Sequence, residues 1–386
     1  MAFVIQHYPP YTAGAEYQAR LLSSQLGKEV ERCEVITTRF DSTLPHLAKE
    51  GPVTVRRLWT FLRGNPRRVV NFFSALVYFS LRGRRYDVLH LHCFSLFTLG
   101  AILGSRLWGC RTVIKACTIG AQGDVAKVKG SVMGGLFWRI FLRCDVFLAT
   151  TPEMAEGYRS DGIPPERIRL IPNIVDPEIA HDMTDELRRE ARAELGLPER
   201  ISVVFVGRLV KQKGVESVVR AWRDVVSDLD ANLIIVGDGP EGASLAEAAR
   251  EGGCADSVFF VGQKPDPHPY YRAAEIFVFA ARDEGFGNVI AEAMLWGLAI
   301  VSTPSGLAAS WLEHERTGLI VQSDTVTEIA AALKRLIADE RLRHALARGS
   351  HRAVLDLFSP HVVVPQHIRV YEEILGETQR GWTAAR

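Results

Sequence analysis

Short apolar runs alternate with longer segments of mixed polarity along nearly the whole chain, and that alternation predicts strands and helices in turn. In the first half, residues 3–5, 35–37, 87–92, 112–114, 146–149 and 168–171 read as strands. A helix opens at Gly14 and carries Leu21, Leu22 and Leu26, and another runs over residues 94–108. A fresh alternation starts at residues 201–207 and continues with strands at 233–236, 258–261, 276–279 and 299–301. Strand-helix alternation of this kind predicts parallel sheets covered on both faces. A chain of 386 residues is long for one core, so the pattern predicts an α/β protein of two Rossmann-like domains, residues 1–176 and 177–359, with a cleft between them. Residues 182–200 read as a linker with one short helix. The amphipathic tail, within 360–386, is expected to pack back on the first domain.

Composition adds exclusions. A net charge of +1, with 47% hydrophobic and 24% charged residues, gives no reason to expect nucleic acid as a partner. The longest apolar runs, residues 69–81 and 94–103, fall short of the roughly 20 residues that span a bilayer. The N-terminus lacks the pattern of a signal peptide. The six cysteines show no paired spacing that would make a zinc site or a disulfide framework, so a reducing cytoplasm is expected. One segment stands apart: Arg56 to Arg85 holds eight arginines and no acid, interleaved with aromatic residues. It reads either as a peripheral contact with an anionic membrane surface or as a core helix over residues 69–81 with solvated arginine flanks.

The candidate chemistry lies in residues 281–296, ARDEGFGNVIAEAMLW. An apolar strand leads into Glu284-Gly285-Phe286-Gly287, and a helix follows. Glycines let the backbone approach a ligand, and a helix start offers amides and a positive dipole end to an anion. Glu284 before the turn and Glu292 inside the helix repel phosphate but accept hydrogen bonds from sugar hydroxyls. The stretch therefore suits a ligand with phosphate in the middle and hydroxyls at both ends, which describes a nucleotide sugar.

Arg208 and Lys213 follow the first strand of the second half and are placed to neutralise charge on a departing nucleoside diphosphate. Gly14 is a candidate to approach the phosphates from the first domain. His92, Lys115 and Asp124 lie at predicted strand ends and are candidates for the acceptor side, or are structural hydrogen-bonding residues. Gly237-Asp238-Gly239-Pro240 is only half a dinucleotide fingerprint. Asp228-Leu229-Asp230 has the spacing of a metal-binding pair but precedes a strand, so no metal and no cofactor are expected.

Assembled in order, these residues resemble the retaining glycosyltransferases of the GT-B fold, family four. The resemblance rests on Glu284 and Glu292 as E-x7-E and on G-R-L-x-x-x-K-G from Gly207 to Gly214. It extends to P-N-x-V-D from Pro172, G-D-G-P from Gly237 and Y-P-P-x-x-x-G-x-E from Tyr8. It implies metal-free transfer of a sugar from a nucleotide-diphosphate-sugar donor, with retention, to a glycan or lipid-linked acceptor at the cytoplasmic face of a membrane. By the same resemblance Arg208 and Lys213 hold the diphosphate, Glu292 the ribose and Glu284 the sugar hydroxyls. The backbone of Phe286, Gly287, Asn288 and Val289 caps the phosphates. Family members usually carry two adjacent glycines where Ala13-Gly14 stands, and many carry a histidine where Cys117-Thr118 falls. A sugar-nucleotide epimerase and a non-catalytic scaffold of the same architecture remain as alternatives.

Overall fold

The computed structural model describes residues 1–376 apart from 11–13, 61–63, 65, 119, 121–122, 181–182 and 324. The chain divides into two compact units. One comprises Met1–Ile174 together with the segment that begins at Pro360, and the other Val175–Ser359. Part of the N-terminal motif (residues 11–13), Arg63 of the basic segment and Asp182 lie outside the described residues.

The first unit runs β1 (Ala2–Val4), α1 (Gly14–Glu29), β2 (Cys33–Thr38), β3 (Leu47–Glu50), β4 (Val53–Leu58), α2 (Pro66–Arg82), β5 (Val88–His92) and α3 (Leu96–Ser105). It continues β6 (Arg111–Lys115), α4 (Asp124–Lys129), α5 (Gly134–Phe141), β7 (Val146–Ala149), α6 (Pro152–Ser160) and β8 (Ile168–Leu170). The strand order is β3-β4-β2-β1-β5-β6-β7-β8, parallel throughout except for the β3-β4 hairpin. Successive side chains of a strand point to opposite faces. On β1, Ala2 and Val4 accordingly join a core with Ala75, Phe79, Phe97, Phe141 and Tyr158 of the following helices, whereas Phe3 joins Leu22 and Leu26 of α1.

The second unit runs α7 (Asp185–Glu194), β9 (Ile201–Val206), α8 (Val215–Val226), β10 (Ala231–Val236), α9 (Gly242–Glu251), β11 (Val258–Gly262), α10 (His268–Ala273) and β12 (Ile276–Phe279). Then come α11 (Asn288–Leu295), β13 (Ala299–Ser302), α12 (Leu307–Trp311), β14 (Leu319–Ile320), α13 (Val326–Ala338) and α14 (Glu340–Phe358). Its parallel sheet has the order β11-β10-β9-β12-β13-β14. The last helix, α15 (Pro360–Leu375), belongs to the first unit, where Val363, Val370 and Tyr371 fill the same core as Phe3. The α/β character of both halves agrees with the alternation in the sequence.

Several segments differ from the reading of the sequence. The segment 182–200 holds the one short helix expected of it, α7, and that helix is tied into the second unit: the Arg188 guanidinium donates to the carbonyls of Trp296 (3.3 Å) and Gly297 (3.0 Å), and Arg192 pairs with Glu275 at 2.6 Å. Two of its arginines thus serve buried hydrogen bonds, and the other charged residues of α7 face solvent. In the basic segment, Arg56 and Arg57 belong to β4, which pairs with β2 and β3 and so brings them within 3.7 Å of Glu34 and 3.6 Å of Glu50 respectively. Helix α2 forms over residues 69–81, but it buries only Asn71, Ala75 and Phe79. The cysteines are not all unpaired: Cys93 and Cys117 form a disulfide with Cα atoms 5.3 Å apart. Their 24-residue separation conceals that β5 and β6 lie side by side, with His92 opposite Lys115. Among the described residues no helix is long and apolar enough to cross a membrane.

Candidate functional site

In an open parallel sheet, ligands settle at the carboxyl ends of the strands where the chain reverses its direction of winding. In the second unit that point lies between β9 and β12, since β10 and β11 extend one way and β13 and β14 the other. The loops leaving those two strands are Gly207–Gly214 and Ala280–Gly287, which carry Arg208, Lys213, Glu284 and the diglycine turn.

These loops are held by backbone approaches that only glycine permits. Gly214 has φ +65°, and a Cβ there would lie 2.0 Å from the carbonyl oxygen of Ala280. The tightness brings the β9 loop onto the end of β12, and the Arg282 amide donates to the Gln212 carbonyl at 3.2 Å. The result is an ion pair between the Lys213 ammonium and the Glu284 carboxylate, both largely shielded from solvent. The Lys213 ammonium also lies 5.4 Å from the centre of the Phe279 ring, and the Gly285 amide donates to Glu284 Oε1 at 3.2 Å. Lys213 and Glu284 therefore neutralise one another.

Gly287, with φ +88°, is the N-cap of α11 and has no side chain to occupy the amides of the first turn. Phe286 is buried against Trp311 and Phe358, and its carbonyl accepts from the Leu307 amide at 2.6 Å, which pins the turn. Asn288 and Val289 are half-buried at the helix start. Glu292 lies further along α11, where its Oε2 accepts from the hydroxyl of Tyr271 at 3.0 Å. Burial pushes the Glu292 carboxyl up to about 7; the Tyr271 hydroxyl pulls the other way, and the charge of Asp266 adds to the rise. Arg208 is exposed and has no ion-pair partner among the described residues. The arrangement thus joins Lys213 and Glu284 directly, sets Glu292 apart from them on α11, and leaves Arg208 at the surface.

The first unit has the corresponding reversal between β1 and β5. Gly14 is exposed at the start of α1. His92 and Lys115, neighbours at the ends of β5 and β6, are both buried. The Lys115 ammonium donates to Asn173 Oδ1 at 2.9 Å, and burial lowers it to about 8. Burial lowers the His92 imidazole well below its usual value, the charge of Lys115 adding to the effect, and neither ring nitrogen has a hydrogen-bond partner among the described residues. Asp124 accepts from the Cys117 amide at 2.7 Å and from the Thr118 hydroxyl at 2.8 Å, closing its own loop.

Three features of these sites escaped the sequence: Tyr271 behind Glu292, Asn173 opposite Lys115, and the disulfide. Asn173 had a signal, being part of the P-N-x-V-D motif. The decoys have structural roles. A Cβ at Gly237 would meet the Gly207 carbonyl oxygen at 1.8 Å, so the G-D-G-P turn packs on the β9 loop, and Asp228 pairs with Lys334. Among the described residues, two groups of side chains have ligating atoms within 4.8 Å of one another, Cys93-Cys117-Asp124 and Asp185-Glu340-His344, and neither lies on the loops after β9 and β12.

Comparison with known proteins agrees in both halves. Residues 12–179 match the family described as Glycosyltransferase Family 4, and residues 200–339 match Glycosyl transferases group 1. The chain is 30% identical over 316 residues to a D-inositol 3-phosphate glycosyltransferase of Salinispora arenicola, covering 75% of this chain and 69% of that one. The sucrose-phosphate synthase of Thermosynechococcus elongatus shares the fold at a TM-score of 0.80 and 22% identity, over 97% of this chain and 98% of that one. HepE of Anabaena, in complex with UDP-glucose, does so at a TM-score of 0.78 and 17% identity, over 96% and 98%. The two parallel sheets are those of a GT-B glycosyltransferase, and the chain belongs to the group 1, family 4 glycosyltransferases.

Proposed function

We propose that the protein transfers a sugar, with retention of configuration, from a nucleotide-diphosphate donor to a hydroxyl of a glycan or lipid-linked acceptor in cell-surface polysaccharide synthesis. The observation that carries this reading is the Lys213–Glu284 pair between the two switch-point loops of the second unit. An incoming diphosphate competes for the ammonium and draws Lys213 away. Glu284 is then released to accept hydrogen bonds from the donor sugar, so that one binding event prepares both ends of the site. Arg208, already unpaired, adds the second positive charge, and Glu292 receives the ribose hydroxyls. Side chains supply the neutralisation for which other transferases use a metal ion. HepE of Anabaena was solved with UDP-glucose, which supports a nucleotide sugar as the donor class.

A panel of nucleotide sugars, screened for thermal stabilisation, tests the donor: a ligand that prefers the native state raises the melting temperature. The stabilising donor, incubated alone and then with acceptors, separates transfer from epimerisation. A donor converted to its epimer without acceptor would replace the transferase reading, and a panel without any stabilising member would remove it.

Peripheral binding at a cytoplasmic membrane face belongs to the same proposal, and α2 supports it. Val69, Phe73, Val77 and Leu81, each four residues apart, are 51–69% exposed along one side of the helix. Arg68, Arg82, Arg84 and Arg85 are exposed at its ends and have no ion-pair partner among the described residues. An apolar stripe bounded by cations suits an anionic lipid surface. Vesicles of neutral and of anionic lipid are the test, and equal retention on both would rule out electrostatic anchoring.

A further inference from the structure

The Cys93–Cys117 disulfide stands where the first sheet reverses its winding. Cys93 directly follows β5, one of the two strands at the reversal, and Cys117 lies just beyond the adjacent β6. The cross-link does little for the fold, because the strands it joins are already paired in register from Val88 opposite Arg111 to His92 opposite Lys115. The Cys93 amide also donates to the Lys115 carbonyl at 2.9 Å. What the bond does hold is local. Cys93 has φ 63°, a left-handed conformation that a non-glycine residue rarely adopts. Cys117 carries the amide that donates to Asp124, and the adjoining Thr118 hydroxyl donates to the same carboxylate. Both cysteines are partly exposed, as is the free Cys110, whereas Cys33, Cys144 and Cys254 are buried.

We propose that Cys93 and Cys117 are a reversible thiol-disulfide latch that fixes the position of Thr118 and Asp124 at the sugar-accepting end of the first unit. The chemistry is exchange with a low-molecular-weight disulfide. One cysteine thiolate attacks the external disulfide, forming a mixed disulfide and expelling one thiolate. The second cysteine thiolate then attacks the protein sulfur, closing the Cys93–Cys117 bond and expelling the other thiolate. Two electrons pass to the external disulfide, and the two cysteine protons go to the expelled thiolates. A small dithiol reverses the sequence. In the oxidised form Asp124 is anchored through Cys117 to the end of β5. In the reduced form that anchor is gone, and acceptor use changes. The last step rests on the transferase reading above; the latch itself does not.

The full chain is equilibrated over a series of ratios of reduced to oxidised small thiol, and its free cysteines are alkylated and located by peptide mass spectrometry. Cys93 and Cys117 are expected to change state together as one two-electron couple, with Cys33, Cys144 and Cys254 remaining thiols throughout. Amide exchange is then compared between the two forms. The amides of Cys117, Thr118 and Asp124 should exchange at least several-fold faster when reduced, with those of β9 and β12 unchanged. A pair that stays linked under millimolar dithiol in the native chain, or that stays reduced at every ratio, overturns the latch, as does identical exchange in both forms. For the functional step, the acceptor KM should differ several-fold between the forms while donor stabilisation stays the same. The Cys93→Ser/Cys117→Ser chain should keep the reduced value at every ratio. Equal acceptor KM in both forms refutes control of acceptor use. A chain with no transfer to any acceptor, but with a normal thiol couple and exchange difference, refutes the transferase reading and leaves the latch standing.

Discussion

At the scale of single residues, the two acids of the E-x7-E motif occupy unlike environments and so make unlike predictions. Glu284 is paired with a lysine, and its proposed hydrogen bonds to the donor sugar count most as the sugar reacts. Glu284→Gln keeps the shape and removes the charge, so turnover should fall about 100-fold or more while the donor still raises the melting temperature. Parental turnover in that variant would remove Glu284 from the reaction. Glu292 is a question of protonation. Its pKa in the native protein, about 7, lies above the ordinary value of 4.5, so between those limits the folded chain keeps a proton that the unfolded chain has released. Stability contributed by this group therefore declines as pH rises through that window. The ribose diol proposed to bind here would donate to the ionised form, so donor affinity should rise by about tenfold from pH 6 to pH 8 and level off above it. Isothermal titration across that range checks this, and Glu292→Gln should flatten the profile.

At the scale of elements, the sequence shows where strands end but not what lies beside them. Arg208, Lys213, Glu284 and the diglycine turn were legible because each closely follows an apolar run, and the carboxyl end of a parallel strand is where ligands bind. Cys93 and Cys117 have the same placement, yet their pairing was invisible: parallel neighbours are joined by a long crossover, so contact across them leaves no short spacing to read. The β3-β4 hairpin is hidden for a different reason, since Val53–Leu58 carries Arg56 on its partly exposed side and a buried Arg57 beside it, and the adjacent pair reads as part of a basic tract. Helix α2 is legible, but which of its sides is covered is not, because apolar spacing alone does not distinguish a core face from an exposed one. That stripe can be tested without disturbing the fold. Phe73→Asp/Val77→Asp alters residues that are each 54% exposed, so vesicle binding should drop at least tenfold with an unchanged melting curve. Gly214→Ala is the opposite case. Strain at φ +65° costs about 1–3 kcal/mol before the approach to Ala280 is counted, which lowers the melting temperature of a unit of this size by about 2–12 °C. A melting curve identical to the parent's would mean that the β9 loop and the end of β12 are not locked together.

At the scale of the whole molecule, the order of the chain and the order of its cores disagree. The core of the second unit is drawn entirely from Val175 to Phe358, so everything it needs is contiguous. The first unit is not self-sufficient in the same way. Its α1-side core includes Val363, Val364, Val370, Tyr371 and Leu375 from α15, and His90 Nδ1 is hydrogen-bonded to the Tyr371 hydroxyl at 2.6 Å. Without α15 that core loses five apolar side chains, each worth roughly 1.5–3 kcal/mol on full burial, and leaves His90 buried beside an open face. A loss of that size exceeds the ordinary stability of a domain at its lower limit of about 5 kcal/mol. The first unit should therefore complete its fold only after the entire second unit has been made. Fragments decide it: residues 175–359 alone should melt cooperatively, whereas residues 1–174 alone should lack a cooperative transition and regain one when a peptide of residues 360–376 is added. The Tyr371→Phe peptide should bind more weakly by about 1–3 kcal/mol, since it leaves the imidazole without its partner. Cooperative melting of residues 1–174 without the peptide would show that α15 decorates a finished domain, and the order of synthesis would then place no constraint on how the first sheet forms.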